Sequence, residues 1–395
     1  MRDANEVRTG KMYEKDAYAC SFESEVLAFD GEWLTLAETL FFPEEGGQCP
    51  DTGTIAGFPV TDVQIRDGEI RHRIGRTGAC EDPCAVFLPG RPVPGLIDRE
   101  ARFSNMQQHS GEHLLSGAVC RLAGCSNSGF HLSPNEVTVD FDRPLSQELL
   151  REAVREANRF VAADLQTEIL YLDEEERKAY PYRSKLDLQG IVRIVVFPGA
   201  DACACCAPHV KRTGEIGLIR ILRAISYKGG TRLWILCGER ARLQMEEEHE
   251  LLVKTANGLS ASCAEVPELV AGLKEENQLL KQQLKAEIRK RLLLQAAAVP
   301  EEERSVLLFE EGLEAASLRD AVNALTERHP GVCGAFSGND REGYRFVLGS
   351  RTEDAREACR ILREAFAARG GGKPDMVQGS VSASREELER LLKGR

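Results

Sequence analysis

Two short runs carry the residue types that hold metals: His109-Ser110-Gly111-Glu112-His113 and, far downstream, Cys205-Cys206-Ala207-Pro208-His209. Two histidines four apart on a helix project from one face, because a repeat of 3.6 residues stacks positions i and i+4. A Cys and a His, again four apart, supply the other two corners of a tetrahedral nitrogen and sulfur site, a donor set that suits Zn²⁺. One helical HxxxH arises often by chance; a matched second pair in the same chain points to a metal centre. Ligands divided between a helix interior and a distant loop suit the floor of a pocket better than a short-range structural knuckle. Four protein ligands saturate a tetrahedron, however, whereas a catalytic zinc usually keeps one position for water. Cys203 and Cys206 flank Cys205, so the run by itself leaves three candidate thiols.

The first run also satisfies H-x-x-E-H, the pattern of inverzincin metallopeptidases, in which Glu112 would activate a metal-bound water and a downstream carboxylate would complete the ligands. That alternative leaves the Cys and His of the second run unused. A third motif, Gly46-Gly47-Gln48-Cys49-Pro50-Asp51-Thr52-Gly53, follows the apolar run Leu40-Phe41-Phe42, which is expected to be a strand. The glycine pair allows a close backbone approach to a ligand, while Gln48 and Asp51 offer an amide and a carboxylate; a plain hairpin turn explains the spacing equally well. No P-loop or dinucleotide fingerprint is present, which disfavours nucleotide hydrolysis and hydride transfer.

The elements that must position these residues fall into several domains, since 395 residues exceed one ordinary core. Residues 1–92 read as a β-rich, barrel-like domain, with Trp33 to Leu36 alternating and a hairpin between Val60 and Ile74 turning at Asp67-Gly68. The run from Pro89 to Gly95 punctuates the chain and marks the first boundary. Residues 93–242 form an α+β unit: a long helix opening at the N-cap Asp98 and carrying both histidines, a strand from 136 to 141, an amphipathic helix from 147 to 165, and strands over 191–197 and 215–226. Residues 243–300 read as a charged helical connector, with Leu273, Asn277, Leu280 and Leu284 spaced as a short coiled-coil seam that drifts out of phase near Ile288. Residues 301–395 alternate strands and helices as a C-terminal α/β domain, closed by a glycine-rich turn from Gly370 to Ser380. The fold class expected is thus α+β and multidomain.

A formal charge of −12 argues against sequence-blind attraction to polyanions, so any such contact needs a local basic patch. Thirteen cysteines, an odd number without framework spacing, read as reduced thiols. Met1-Arg2-Asp3-Ala4-Asn5-Glu6 lacks the features of a signal peptide, and no apolar run approaches the ~18 residues of a membrane span. A cytoplasmic, unexported protein is expected.

The run Phe42-Pro43-Glu44-Glu45-Gly46-Gly47-Gln48, then Gly95-Leu96-Ile97-Asp98-Arg99, the His109/His113 and Cys205/His209 pairs, and Thr213-Gly214-Glu215-Ile216-Gly217 resemble the editing domain of alanyl-tRNA synthetase and its free-standing relatives, the AlaX proteins. Gly371-Gly372-Lys373-Pro374-Asp375-Met376-Val377-Gln378-Gly379 resembles the glycine-rich signature in the C-terminal domain of those synthetases. The chain starts at the β domain, with no aminoacylation domain ahead of it, and so looks like a long-form AlaX protein. The resemblance implies one zinc ion per chain held by His109, His113, Cys205 and His209, and hydrolysis of the ester joining serine, or glycine, to the tRNA for alanine. It places Gln48 and Asp51 near the substrate pocket, with Glu112, Gln48 and His131 as candidates for proton transfer or substrate orientation. Cys206-Ala207-Pro208-His209 replaces a Gly-Gly-Thr-rich approach to the last ligand, a change that bears on selectivity and loop flexibility rather than on the ligands. For tRNA, Arg356, Arg360 and Arg363 share a helix face that leads to Arg369 and Lys373, an arrangement suited to phosphates. A homodimer through the connector and C-terminal domain is expected, and a non-catalytic, zinc-containing tRNA-binding module is the remaining alternative.

Overall fold

The computed structural model describes residues 9–76, 82–184 and 188–393. They form a mixed α and β structure whose contacts divide into two compact units, Met1–Leu252 and Val253–Arg395. Among the described residues no helix is long and apolar enough to cross a membrane.

In the first unit, β1 (Ser21–Phe29), β2 (Trp33–Leu36), β3 (Gly53–Ile55), β4 (Phe58–Arg66), β5 (Glu69–Ile74) and β6 (Pro92–Ile97) close into a barrel in the order β1-β2-β5-β4-β3-β6. Period-two alternation builds it: Phe22, Ser24 and Val26 of β1 turn inward while their neighbours face solvent. The barrel interior is filled by Leu34, Leu36, Ile55, Val60, Val63 and Ile70. The proline-rich run expected to separate two domains is instead the strand that closes the barrel. Its two prolines take the solvent-facing positions, Val93 and Ile97 are buried, and the Pro94 carbonyl still accepts from the Ala56 N–H at 2.7 Å. The β domain therefore runs to Ile97. Leu40-Phe41-Phe42 is fully buried but belongs to no regular strand.

Asp98 then caps α1 (Arg99–Ala123), accepting from the Ala101 N–H at 3.0 Å, and Gly124 ends the helix in the left-handed region. β7 (Asn127–Leu132), β8 (Val137–Phe141), β12 (Ile219–Tyr227) and β13 (Gly230–Cys237) form a sheet in the order β12-β13-β8-β7. α1 and α2 (Gln147–Ala163) share its core, where Leu115, Val119, Ala153 and Ala157 meet Val139, Leu233 and Ile235. β9 (Glu168–Leu172), β10 (Val192–Phe197) and β11 (Asp201–Ala204) make a smaller antiparallel sheet in chain order. The strand expected from residue 215 begins only at Ile219. Thr213–Ile216 is a 3-10 turn, because the buried Thr213 hydroxyl is engaged with the Phe160 carbonyl and the Leu165 N–H.

Helix α3 (Gly238–Gly258) follows β13. The second unit contains α4 (Val266–Ala298), β14 (Leu307–Glu310), α5 (Ala315–Arg328), β15 (Cys333–Asn339), β16 (Gly343–Gly349), α6 (Ala355–Phe366), β17 (Arg369–Lys373), β18 (Met376–Val381) and α7 (Arg385–Lys393), with sheet order β14-β15-β16-β18-β17. The glycine-rich segment is not one turn but a hairpin, with Gly371 opposite Gln378 and the reversal at Pro374-Asp375. Along α4, Leu273, Leu280 and Leu284 stand about half or more exposed. One turn past Leu284 the apolar face changes: Ile288 and Leu292 pack with Leu318, Ala321 and Val322 of α5. The heptad drift near Ile288 marks this switch from a bare seam to the core of the unit itself.

Candidate metal centre

Helix α1 is buried along most of its length, polar residues included. Gly111 makes this possible, since a Cβ there would lie 2.3 Å from the Cys237 sulfur of β13. The buried polar side chains are all engaged. Arg102, 2% exposed, forms a bidentate ion pair with Asp51 and donates to the carbonyls of Ala17 and Leu40, which locks the helix to the barrel. Asp51 also accepts from the Phe42 N–H at 2.6 Å. Losing either partner would strand the other charge in a dry environment, a situation that typically costs about 3–5 kcal/mol.

Near the middle of α1, His109, His113, Cys205 and His209 offer ligand atoms that all lie within 4.8 Å of one another. Each imidazole is held by its Nδ1. That of His109 meets Gln48 Oε1 at 2.7 Å, that of His113 meets Asp201 Oδ2 at 2.9 Å, and that of His209 meets the Ser110 hydroxyl oxygen at 3.0 Å. The Nε2 atoms are thereby turned toward a common point, the arrangement in which a histidine fixed by an outer partner presents its other nitrogen to a metal. The Cys205 sulfur lies 3.6 Å from His109 Nε2 and 3.2 Å from His209 Nε2. Zinc bonds of about 2.3 Å to sulfur and about 2.05 Å to nitrogen space tetrahedral ligands about 3.5 Å apart, so this donor set fits the ion.

The electrostatics agree. Burial would raise the Cys205 thiol, but the neighbouring imidazoles of His109 and His209 outweigh it and hold the group well below the usual thiol range. Burial pulls His209 down to about 3, against the opposing pull of the Cys205 sulfur. At His113 burial opposes charge, yet the Asp201 and Cys205 contacts overcome it and raise its proton affinity; a cation at the site would take the place of that proton. Of the flanking thiols, Cys206 is pushed up by burial and by the Cys205 charge, and Cys203 by burial. Both favour the protonated form, and Cys205 is the one that joins the three imidazoles.

Backbone geometry brings the parts together. Gly46 and Gly47 have φ of +63° and +86°, and a Cβ on Gly47 would lie 2.2 Å from the Phe130 carbonyl oxygen. This close approach lets Gln48 pair with Leu132 of β7 and drive its side chain, wholly buried, onto His109. On the opposite wall the Arg193 guanidinium donates to the carbonyls of Cys205 and Ala207 at 2.6 and 3.1 Å, fixing the Cys-Cys-Ala-Pro-His loop. Arg183 clamps the Asp201 carboxylate at 2.6 and 2.7 Å, which completes an Arg183–Asp201–His113 chain.

The ligand set borders a cavity of about 380 Å³ whose walls include Glu112, Asn127, Phe130, Arg183 and Ile191. Glu112 accepts from the Ser116 hydroxyl at 2.5 Å and the Asn127 amide at 2.6 Å, so its carboxylate is fixed at the cavity wall beside His109 and His113. The other expected residues stand elsewhere. Gln48 contacts His109 and is not among the cavity-lining residues, which makes it a positioning residue. Asp51 is consumed by Arg102. His131 lies exposed on the outer face of β7, because strand alternation gives the inner position to Phe130, whose ring is 4.7 Å from His109. Sequence reasoning missed Ser110, Asn127, Arg183 and Asp201; only Ser110, inside the first histidine run, carried a local signal.

In the second unit, Arg356 is paired with Asp354, Arg360 with Glu357 and Glu364, and Arg363 donates to the Gly370 carbonyl at 2.6 Å. Arg369 and Lys373 are exposed on β17. The face expected to hold phosphates is thus largely satisfied from within.

Residues 192–233, the segment holding β10, β11, the Cys/His loop, β12 and the first half of β13, match the family model of the threonyl and alanyl tRNA synthetase second additional domain. The alanyl-tRNA editing protein AlaX-M of Saccharolobus solfataricus is 33% identical over 235 residues, which cover 57% of this chain and 96% of that protein. The chain belongs to the AlaX family. Similarity to alanine–tRNA ligases runs further along this AlaX protein: that of Pyrococcus abyssi is 29% identical over 416 residues, covering 100% of this chain and 44% of the ligase. The ligase of Archaeoglobus fulgidus is 30% identical, covering 96% and 43%. The chain therefore spans less than half the length of the ligases that it resembles.

The Asp201 contact yields a prediction. Asp201→Asn keeps the size of the side chain but removes the carboxylate that orients His113, and should weaken zinc binding about 10- to 100-fold in a chelator competition. Unchanged affinity would remove Asp201 from the centre.

Proposed function

We propose that this AlaX protein is a zinc-dependent deacylase that hydrolyses mischarged tRNA for alanine, with serine, and also glycine, as the amino acids removed. The observation that carries the reading is a buried set of three imidazoles and one thiol, opening on a cavity of about 380 Å³, in a chain of the alanyl-tRNA editing family. Editing answers a physical need. A pocket shaped for alanine cannot exclude glycine by size and gains little discrimination against one added hydroxyl, so a second, hydrolytic site must supply the rest.

Bound to His109, His113, Cys205 and His209, zinc would act as a Lewis acid toward a substrate amine, hydroxyl or water. The chain supplies the remaining functions. Gln48, Asp201 and Ser110 hold the imidazoles in the tautomer that leaves Nε2 free. Glu112, fixed by Ser116 and Asn127, is the carboxylate placed to orient the attacking water or the amino group of the substrate. Phe130, Leu188 and Ile191 give the cavity an apolar wall. Hydrolysis adds water to the ester carbonyl and breaks its bond to the ribose oxygen, which leaves as a hydroxyl. A peptidase of the H-x-x-E-H type would require a carboxylate as third ligand, whereas here Cys205 and His209 adjoin the histidine pair.

We further propose that a second copy of the chain covers the bare seam of α4. Val266, Val270, Leu273, Asn277, Leu280 and Leu284 follow alternating steps of four and three, the spacing of a coiled-coil face.

Incubation with Ser-tRNA and Ala-tRNA of the alanine isoacceptor should release serine and spare alanine. His109→Ala should slow that release by about 100-fold or more, the rate equivalent of roughly 3 kcal/mol. Full activity in this variant would contradict the metal-site assignment. In sedimentation analysis, Leu273→Glu with Leu280→Glu should convert a dimer into a monomer; a wild-type chain that sediments as a monomer at micromolar concentration would dispose of the pairing.

A further inference from the structure

The acidic balance of the chain leaves few places where a polyanion could bind, and one of them lies outside the C-terminal unit. A groove of about 780 Å³ runs between α2 and the sheet-edge strand β12, lined by Arg151 and Arg155 from the helix and Arg220 and Arg223 from the strand. Arg159 continues the helical row at the next i+4 position, so three guanidinia follow one another along about 12 Å of α2. Arg151, Arg155 and Arg159 are exposed and make no ion pair among the described residues. Arg223 also lacks a carboxylate partner there and instead lies 4.9 Å over the Trp234 ring. A register shift between Ile221 and Arg223 re-aims this edge strand. Arg220 is paired with Glu248 at 2.9 Å, yet its Nη1 is buried with no partner. Glu148 is the one carboxylate on the groove wall.

Unpaired guanidinia on both sides of a groove, in a protein of charge −12, are energetically sensible when phosphates supply the missing counter-charge. The contrast with the second unit is direct, since Arg356 and Arg360 already hold carboxylates of their own helix. Position matters as well. β12 and β7 are opposite edges of the same four-stranded sheet, three strand spacings or about 14 Å apart, and β7 borders the metal cavity. We infer that the α2–β12 groove binds the phosphate backbone of the RNA duplex adjoining the aminoacylated end, while the unpaired 3′ tail crosses to the cavity. This rests on the reading of the substrate as a tRNA. A-form RNA suits such a groove, because it is held by backbone and shape rather than by base edges.

The test measures binding of uncharged tRNA for alanine by fluorescence anisotropy over a range of salt concentrations, so that it does not depend on deacylation. The triple variant Arg151→Glu, Arg155→Glu, Arg223→Glu should bind at least about tenfold more weakly, with a salt dependence reduced by about two to three ions. Zinc content and near-UV dichroism should remain unchanged, and the glutamine triple variant should show a smaller loss in the same direction. Arg360→Glu with Arg363→Glu should change binding less than the α2–β12 variants do. Affinity unchanged in the glutamate variant, or a loss confined to the Arg360 and Arg363 variant, would overturn the inference. If the wild type releases no amino acid but its tRNA binding still depends on these arginines, the groove assignment stands and the deacylase reading falls.

Discussion

Three imidazoles and a thiol share one buried point, and each imidazole reaches it only because an outer group holds its far nitrogen. Gln48 comes from the barrel side, Ser110 from the helix that carries two of the ligands, and Asp201 from a strand of the smaller sheet. Three separate structural layers must therefore be in register before the centre exists. A buried thiol among three buried imidazoles is a costly set of polar groups unless a cation shares the space, and a bound metal would therefore add to the stability of the fold.

The rest of the first unit reads as the means of keeping that register. Arg102 and Asp51 tie the start of α1 to the barrel, and the glycine pair at 46 and 47 lets the barrel loop touch β7 closely enough for Gln48 to reach His109. Arg193 holds the Cys/His loop by its carbonyls, and Gly111 lets α1 lie against β13 without a gap. Several of these contacts are charged or polar groups almost wholly removed from water. Such networks tolerate little: complete they are rigid, and broken at one member they leave unsatisfied groups in a low-dielectric interior.

Much of this was legible in the sequence, for reasons that differ by residue. The clustering of His109, His113, Cys205 and His209 could be anticipated because helical period and metal valence fix both spacing and type, and Asp98 could be read because capping is local. The barrel alternation was visible for the same local reason, but its last strand was hidden by prolines that happen to occupy the outward positions. The surroundings of Asp51 and His131 depend on tertiary facts that no spacing shows, a distant arginine for one and the face of a strand for the other. Asp201 and Arg183 could not have been found by spacing, since their partners lie on other elements. The arginine row of α2 belongs to no motif in the sequence. It gained meaning only when β12 brought Arg220 and Arg223 alongside.

Whether His109, His113, Cys205 and His209 hold one zinc ion is read most directly by X-ray absorption at the zinc edge of the protein as purified. One zinc per chain, with a single sulfur at about 2.3 Å and three nitrogens at about 2.05 Å, is the predicted shell. Loss of the sulfur component in Cys205→Ser should accompany it. A shell of oxygen and nitrogen alone in the wild type, or zinc that keeps its sulfur neighbour without Cys205, would contradict the account.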